Sequence, residues 1–373
     1  MIRVLELLVT AAPGGGPKQV YDLVRHLPKA EFEVVVAAPR DGVFFDRFRD
    51  LGLPVVEIAL HRVRPRPFLH VLRLIRTARI DVVHSHGKGA GLYGRLAALL
   101  TGIAAVHTFH GIHYQRYPGP GRWAYRTLER ALAARTDRVI NVSHTQAQEG
   151  LDLRLFKPSQ SVTILNGIDL SELDAELARA EPDRGRIGVP ADAPVIGSVT
   201  RFDPVKRVDV LIGALTLLVP RVPRLALVLV GGGADAPRLK RLAAEAGLGD
   251  RVIFTGPLAD PACAYRLFDL YAATSRKEGL PLALLEAMGA RLAVVATDVP
   301  GHRDVVVHGE TGLLVPPDDP AALAEAIATL LADPARRRRM GEAGRRRVAE
   351  VFTVSSMVEQ TAEVYRRAAA SRR

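Results

Sequence analysis

Short, continuous apolar runs recur along the first half of the chain, separated by amphipathic stretches. Val4–Val9, Phe32–Ala38, Val55–Leu60, Asp81–His86, Ala105–His110 and Arg138–Val142 are the runs. They do not alternate apolar with polar, as fits parallel strands buried on both faces. Between them Lys18–Leu27, Phe68–Ala78, Ala90–Leu100 and Trp123–Ala134 show the helical period. This alternation predicts βαβ units and an open parallel sheet. Residues 171–192 break the rhythm: the stretch is rich in charge and alanine, carries Pro182, Gly185, Gly188 and Pro190, and reads as a linker. The pattern then restarts, with strands at Val195–Val199, Leu225–Val230, Val252–Thr255, Leu270–Ala273, Ala293–Ala296 and Gly312–Val315. Val208–Leu218, Pro237–Ala246, Ala262–Leu267, Leu282–Ala290 and Ala321–Ala332 are the intervening helices, and another begins near Val354. The whole predicts two doubly wound α/β domains, 1–170 and 193–353, joined by 171–192 and followed by a helical segment 354–373. Two such domains face to face enclose a central cleft at the carboxyl ends of the strands, where loops and helix N-termini converge.

Composition narrows the class. At roughly 100–200 residues per domain, the 373 residues suit two domains. An apolar share of 48% with 24% charged residues excludes disorder as the main state. Cys263 is the only cysteine, which excludes a disulfide framework and fits a reducing compartment. The uncharged run Leu96–Val106 falls short of the ~20 residues of a membrane helix. Met1–Ala12 leads into Gly14-Gly15-Gly16 rather than a cleavage site, so it reads as a first strand and the chain as cytoplasmic. The net charge of +11 implies attraction to something anionic. It does not choose between nucleic acid, a phosphorylated substrate and an acidic membrane, and arginine abundance alone raises it.

Four local patterns carry candidate chemistry. Arg201-Phe-Asp-Pro-Val-Lys206 follows a strand and opens a helix, so an arginine fork and a lysine ammonium stand where a diphosphate would bind. A solvated helix start with an Arg201–Asp203 salt bridge is the competing reading, and Arg207 competes with Lys206. In Glu278-Gly-Leu-Pro-Leu-Ala-Leu-Leu-Glu286, Pro281 suits a first helical turn, and Gly279 and Leu280 offer amides at its positive end. Glu278 and Glu286 lie about 12 Å apart along such a helix, too far for a glycosidase pair at roughly 5–9.5 Å. They suit two contacts on one extended ligand; an exposed helical glutamate is the alternative for Glu286. His110, at a strand end before Gly111, is placed to point into a cleft, with His84, His86, His107 and His113 as competitors. These histidines raise metal binding, but no carboxylate matches them in sequence, and no metal site is expected. Gly15, in the first glycine turn, lets backbone approach a phosphate. Gly231-Gly-Gly-Ala-Asp-Ala236 fits the dinucleotide pattern only formally, because no acid follows to hold a ribose. There is no G-x-x-x-x-G-K-[ST] and no Asp-x-Asp.

Glu278 with Glu286, Arg201 with Lys206, Asn166-Gly167-Ile168-Asp169 and Gly312-Leu-Leu-Val315 together resemble, in order and over nearly the whole chain, the retaining glycosyltransferases of family 4. The resemblance implies the GT-B architecture of two Rossmann-like domains, with the C-terminal helix crossing back to the first. It implies a nucleoside-diphosphate sugar donor, UDP ahead of GDP, and neither cofactor nor metal. By it Arg201, Lys206, Gly15, Gly279 and Leu280 serve the diphosphate and Glu286 the ribose, while Glu278 and His110 face the transferred sugar. Thr274 stands where a proline often precedes the serine, and Asp304 where a glutamate is common. Fixed cations and helix amides can stabilise a departing diphosphate without a metal. No residue is placed as a covalent nucleophile, so an internal-return substitution is expected.

The acceptor implied is a glycan or a lipid-linked sugar, in cell-surface polysaccharide or glycolipid synthesis. Arg62, Arg64, Arg66, Arg73 and Arg76 lie in a stretch without acids, and Phe68, Val71, Leu72 and Ile75 form one helical stripe. A peripheral contact with an anionic membrane, on its inner face, is one reading; a helix packed on the sheet with its arginines in water is the other. Arg336–Arg339 and Arg345–Arg347 read as a solvated helix face, and no nucleic-acid partner is expected, because no aromatics interleave with them. The alternatives are a sugar-nucleotide epimerase or hydrolase on the same architecture, and a non-catalytic sugar-nucleotide-binding or membrane-associated assembly protein.

Overall fold

The computed structural model describes residues 1–60, 64–112, 118–179, 184–258 and 261–372. Two compact units emerge: 1–166 with 354–373, and 167–353. The first contains β1 (Ile2–Leu8), α1 (Gly15–His26), β2 (Phe32–Ala38), α2 (Val43–Asp50), β3 (Val55–Glu57), α3 (Pro65–Thr77), β4 (Val82–His86), α4 (Gly87–Thr101), β5 (Ala104–Phe109), α5 (Gly119–Ala133), β6 (Arg138–Asn141), α6 (His144–Asp152) and β7 (Ser161–Thr163). All strands are parallel, in the order β3-β2-β1-β4-β5-β6-β7.

The second unit contains α7 (Leu170–Arg179), β8 (Val195–Val199), α8 (Val208–Leu218), β9 (Ala226–Val230), α9 (Ala236–Glu245), β10 (Val252–Gly256), α10 (Ala262–Tyr265), β11 (Leu270–Ala273), α11 (Leu282–Gly289), β12 (Val294–Thr297), α12 (His302–Val305), β13 (Gly312–Val315), α13 (Pro320–Ala332) and α14 (Pro334–Val351). Its sheet runs β10-β9-β8-β11-β12-β13, again all parallel. The last helix, α15 (Val354–Ala370), belongs to the first unit. In each sheet the strand order reverses beside the first strand, between β1 and β4 and between β8 and β11. Ligands of doubly wound sheets bind at that switch point.

Strand period decides what each face carries. On β1, Val4 and Leu8 join a core with Val20, Leu23, Phe48, Val106, Met357 and Tyr365, so α1, α2 and α15 cover this face. Leu5 and Leu7 join the opposite core with Val71, Ile75, Tyr93 and Ala97 of α3 and α4. In the second unit Leu211 and Leu215 of α8 meet Leu227, Leu229 and Val295 of the sheet.

Residues 171–179 of the expected linker are helical instead. Most of the stretch's first half is α7, whose Leu173 is buried against Gly289; a Cβ on that glycine would lie 2.7 Å from Leu173 Cδ2. Its charges are the outer face of an amphipathic helix, and Asp174 accepts both arms of the Arg345 guanidinium at 2.8 and 2.6 Å. The first unit accordingly stops at Asn166 rather than at residue 170, while Pro182 lies outside the described residues. Nor is the arginine run of α14 only a solvated face. Arg345 also donates to Gly289 O at 2.6 Å, and Arg347 to the carbonyls of Val305 and Asp304 at 2.8 and 2.9 Å.

Candidate active site

The switch point of the second unit brings together the loops after β8 and β11. The first loop carries Arg201–Lys206 and is held from below by the glycines after β9. Gly231 (φ 134°) and Gly233 (φ 156°) adopt backbone that side chains avoid, and a Cβ on Gly233 would lie 2.5 Å from Phe202 O. A Cβ on Gly231 would run into the Thr200 carbonyl, and Phe202 N donates to Gly232 O at 2.8 Å. The formal dinucleotide pattern is thus a backbone clamp on the Arg201 loop.

Lys206 and Glu278 meet across this loop pair. Lys206 Nζ lies 2.6 Å from Glu278 Oε1, with the side chains only 17% and 13% exposed. Ser275 Oγ donates to the same carboxylate oxygen at 2.5 Å. Thr274 Oγ1 donates to Lys206 O at 2.9 Å, and Arg276 N to Val205 O at 2.9 Å. A proline at position 274 would lack the hydroxyl that fixes the lysine's backbone. Arg207 is committed elsewhere: its guanidinium grips Asp209 and Asp318. Arg201, by contrast, is exposed and pairs with Asp203 at 3.2 Å. The two readings of this motif therefore divide: the solvated salt bridge describes Arg201, and an enclosed cation describes Lys206.

Burial pushes the Glu278 carboxyl up, but Lys206, His302 and the hydrogen bonds from Lys206 and Ser275 outweigh it and hold it below the usual range. It is a carboxylate at neutral pH. Gly301 (φ 87°) lets the β12–α12 turn press against it, since a Cβ there would lie 2.5 Å from Gly279 O and 3.0 Å from Glu278 Cβ. Gly279 and Leu280 are buried in the turn that leads into α11. His302 Nδ1 donates to Thr297 O at 2.8 Å, and burial, together with Lys206, keeps the ring below its ordinary value despite Glu278 and that carbonyl. Along α11, Glu286 is no loose surface glutamate: the buried Tyr265 donates its hydroxyl to Glu286 Oε2 at 2.7 Å and so fixes the carboxylate.

In the first unit the switch point lies between β1 and β4. Gly15 opens α1, and a Cβ there would meet nothing within 4 Å. The glycine against His110 is Gly16, whose Cβ would sit 3.6 Å from the imidazole. His110 belongs to a cluster that the spacing of histidines alone does not reveal. Glu6, on β1, is fully buried; its Oε2 lies 2.7 Å from His86 Nε2, and its Oε1 accepts from Tyr365 OH at 2.5 Å. His86 Nδ1 lies 3.0 Å from His110 Nε2. His84 contacts Tyr365 OH at 2.6 Å and Thr108 Oγ1 at 2.7 Å. The missing carboxylate is therefore Glu6. The clue is period 2: residues 6, 84, 86, 108 and 110 all fall on the α15 face of the sheet, Glu6 in register with His84. Ligand atoms of Glu6, His84 and His86 lie within 4.8 Å of one another, yet all are occupied by hydrogen bonds. Burial, with His84, pushes His86 down to about 4 against the pull of Glu6. Burial, with His86 and His84, keeps His110 well below its ordinary value too. His113 lies outside the described residues.

The stripe of α3 is not a free apolar face. Val71 and Ile75 are buried, and Phe68 and Leu72 pack on the same core. What remains outward is Arg64, Arg66, Leu69, Arg73 and Arg76, while Arg62 lies outside the described residues. The neighbouring α4 leaves Leu99 and Leu100 exposed, and α5 leaves Trp123 exposed. Among the described residues no helix is long and apolar enough to cross a membrane.

Comparison with known proteins fits this architecture. Residues 13–172 match the family model described as Glycosyltransferase Family 4, and residues 180–347 that described as Glycosyl transferases group 1. The D-inositol 3-phosphate glycosyltransferase of Kineococcus radiotolerans is 35% identical, over 78% of this chain and 72% of that protein. The alpha-maltose-1-phosphate synthase of Mycolicibacterium smegmatis is 32% identical over 96% of both chains. The lipopolysaccharide core biosynthesis mannosyltransferase LpcC of Rhizobium leguminosarum is 30% identical, over 82% and 84%. Among solved structures, HepE of Anabaena, in complex with UDP and glucose, superposes with a TM-score of 0.86 at 22% identity, covering 98% and 99% of the two chains. The sucrose-phosphate synthase of Thermosynechococcus elongatus gives 0.83 at 26% identity over the full length of both. Two parallel Rossmann-like sheets, both family models and relatives aligned over most of their own lengths place the chain in glycosyltransferase family 4, the glycosyl transferases group 1: it is a glycosyltransferase of the GT-B fold.

Proposed function

We propose that this glycosyltransferase moves a sugar from a nucleoside-diphosphate sugar, UDP ahead of GDP, to a glycan or lipid-linked acceptor, with retention and without a metal. The observation that carries the reading is the enclosed Lys206–Glu278 pair at the switch point of the second unit. A diphosphate arriving there finds Lys206, Arg201 and the turn Gly279–Leu280 at the positive end of α11. Glu286, fixed by Tyr265, accepts from the ribose hydroxyls. As the bond from the sugar's anomeric carbon to the phosphate oxygen breaks, charge grows on the diphosphate, and Lys206 and Arg201 stabilise it without reorganising. Glu278 stays ionised and stabilises the cationic sugar. The acceptor oxygen bonds to the anomeric carbon from the leaving-group side, and its proton passes to the departing phosphate, giving retention. His110 of the first unit serves the transferred sugar, and Gly15 the phosphates. That HepE of Anabaena was crystallised with UDP and glucose supports a UDP-sugar as first candidate.

With EDTA present, a panel of UDP, GDP, ADP and their sugar conjugates is expected to raise the melting temperature with one base only. A ligand at 100 times its Kd adds about 2.7 kcal/mol. Glu286→Ala should abolish that shift while lowering the unliganded melting temperature only slightly, because the Tyr265 hydroxyl keeps the Ala283 carbonyl, at 3.2 Å, as acceptor. A panel with no shift, or one that appears only with divalent metal, removes the metal-free donor reading.

The acceptor side rests on the outward arginines of α3 with Leu69 and on exposed Leu99, Leu100 and Trp123. Such a surface suits peripheral contact of a cytoplasmic protein with an anionic membrane, at about 1 kcal/mol per basic residue near the lipid. Flotation with phosphatidylglycerol vesicles at low salt is expected to carry the protein upward, and Arg66→Glu/Arg73→Glu to leave it at the bottom. Absence of flotation at low salt eliminates the membrane surface.

A further inference from the structure

The buried cluster of the first unit has a direction, set by counting donors and acceptors. Glu6 is fully buried, and although burial alone would raise its carboxyl, the two histidines and their hydrogen bonds hold it far below the ordinary range. A carboxylate only accepts. Tyr365 therefore donates to Oε1 and His86 Nε2–H to Oε2. With its one proton on Glu6, the Tyr365 oxygen accepts from His84 Nδ1–H at 2.6 Å. His86, neutral at pH 7, then has only a lone pair at Nδ1, so the 3.0 Å contact is a donation from His110 Nε2–H. A neutral His110 with its proton on Nε2 presents Nδ1 as an acceptor. The two rings meet edge to edge and near coplanar, with centroids 5.3 Å apart and planes 27° apart, as an N–H···N bond requires. Gly16 stands beside the His110 ring: a Cβ there would be in van der Waals contact with the imidazole at 3.6 Å.

We infer that Glu6 and His86 are positioning residues for glycosyl transfer: the chain Tyr365–Glu6–His86 locks His110 as the Nε2–H tautomer, with Nδ1 held out to accept a hydrogen bond from a hydroxyl of the transferred sugar. This rests on the proposed role of His110. Tyr365 brings α15, the last helix of the sequence, into the lock. Orientation of a working histidine by a buried carboxylate is a recurrent device; here a second histidine is interposed.

Histidine-labelled protein, observed by two-bond 15N–1H correlation, reads the tautomer directly. His110 is expected to appear as Nε2–H and not to titrate between pH 6 and 8. In Glu6→Gln the amide of residue 6 can donate to His86 Nε2, which reverses the chain, and the His110 Nε2–H signature should be lost. Nucleoside diphosphate release, measured with the panel donor giving the largest melting shift, should fall in kcat by about ten- to a hundredfold, the loss typical when the hydrogen-bond partner that orients a metal-ligating histidine is removed. The donor KM should stay within about twofold, because Lys206, Arg201, Gly15 and Glu286, the residues assigned to the phosphates and the ribose, are unchanged by the substitution. Should Glu6→Gln fail to fold, Tyr365→Phe keeps the packed ring and removes one donor, and kcat should fall in the same sense by a smaller factor. An Nδ1–H tautomer in the parent protein overturns the inference. So does full kcat in Glu6→Gln when His110→Ala is crippled. One equivalent of transition metal surviving dialysis against EDTA also overturns it, because His86 Nε2 would then be a ligand and not a donor. Full turnover in His110→Ala instead removes the underlying role of His110, and the lock loses its catalytic meaning with it.

Discussion

Lys206→Ala is expected to lower the stability of the second unit by about 3 kcal/mol and donor turnover by about a hundred- to a thousandfold, and the two losses should separate in a second variant. From the sequence alone, with Lys206 read as a phosphate ligand, turnover should suffer far more than folding. The ion pair changes that expectation. Glu278 is only 13% exposed and accepts from Lys206 at 2.6 Å. Removing one partner of such a pair strands the other charge, which costs about 3–5 kcal/mol when burial is complete and somewhat less here. The loop itself should hold, because Thr274 grips the Lys206 carbonyl and Arg276 the Val205 carbonyl, neither through the lysine side chain. In Lys206→Ala/Glu278→Gln the stranded charge is gone, so the urea midpoint should recover most of its loss. Turnover should not recover, because the cation proposed to face the departing phosphate is still missing; one preorganised donor to developing charge is worth about 10²–10³ in rate. A double variant no more stable than the single one contradicts the stranded-charge account. Near-normal turnover in Lys206→Ala, in folded protein, contradicts its place on the phosphate.

Most of the fold was legible because buried parallel strands are unbroken apolar runs. Phe32–Ala38, Val195–Val199, Leu270–Ala273 and Gly312–Val315 begin and end where the apolar runs do. The elements that escaped are those whose stability comes from tertiary contact. The helix Val43–Asp50 has only eight residues, and in Leu170–Arg179 four charges mask a narrow apolar stripe; each is fixed by a few buried side chains such as Phe48 and Leu173. The strand Ser161–Thr163 has three residues and exists through its pairing with β6. At the site the split is similar. Lys206, Glu278 and Glu286 are recognisable from spacing along one chain segment. That Lys206 pairs with Glu278, 72 residues away, and that Arg207 turns to Asp318, 111 away, follows only from the sheet order. Glu6 was missed for the same reason. A single glutamate in Ile2–Leu8 stands out within an apolar strand, but its partners come from β4 and from a helix 359 residues on.

The same buried cluster should make the first unit lose stability as the pH falls from about 6.5, well before ordinary acid unfolding. His86 is held at about 4 in the folded chain against an ordinary 6.5, chiefly by burial. Between those values the unfolded chain takes up a proton that the folded chain refuses, so stability rises with pH through this window and is lost on acidification. For His86 alone the loss by pH 5 is about 2 kcal/mol. His107 is displaced downward by burial and Arg95, and His110 by burial and the neighbouring histidines, and both add in the same sense. Glu6 adds a further loss below its unfolded value near 4.5, because its folded carboxyl is held lower and resists protonation. In the second unit His302 and Glu278 have the same sign, but three depressed histidines on one sheet make the first unit the steeper. Hydrogen exchange at pH 7.5 and pH 5, corrected for intrinsic rates, should show protection falling further in β4 and β5 than in β11 and β12. Equal loss in both sheets, or undiminished protection in β4 and β5 at pH 5, would show that the histidines are not held neutral against solvent. If the first unit is the steeper, the groups that order His110 also set the acid limit of the domain, because the burial that keeps those rings neutral makes protonation pull the unit toward the unfolded state.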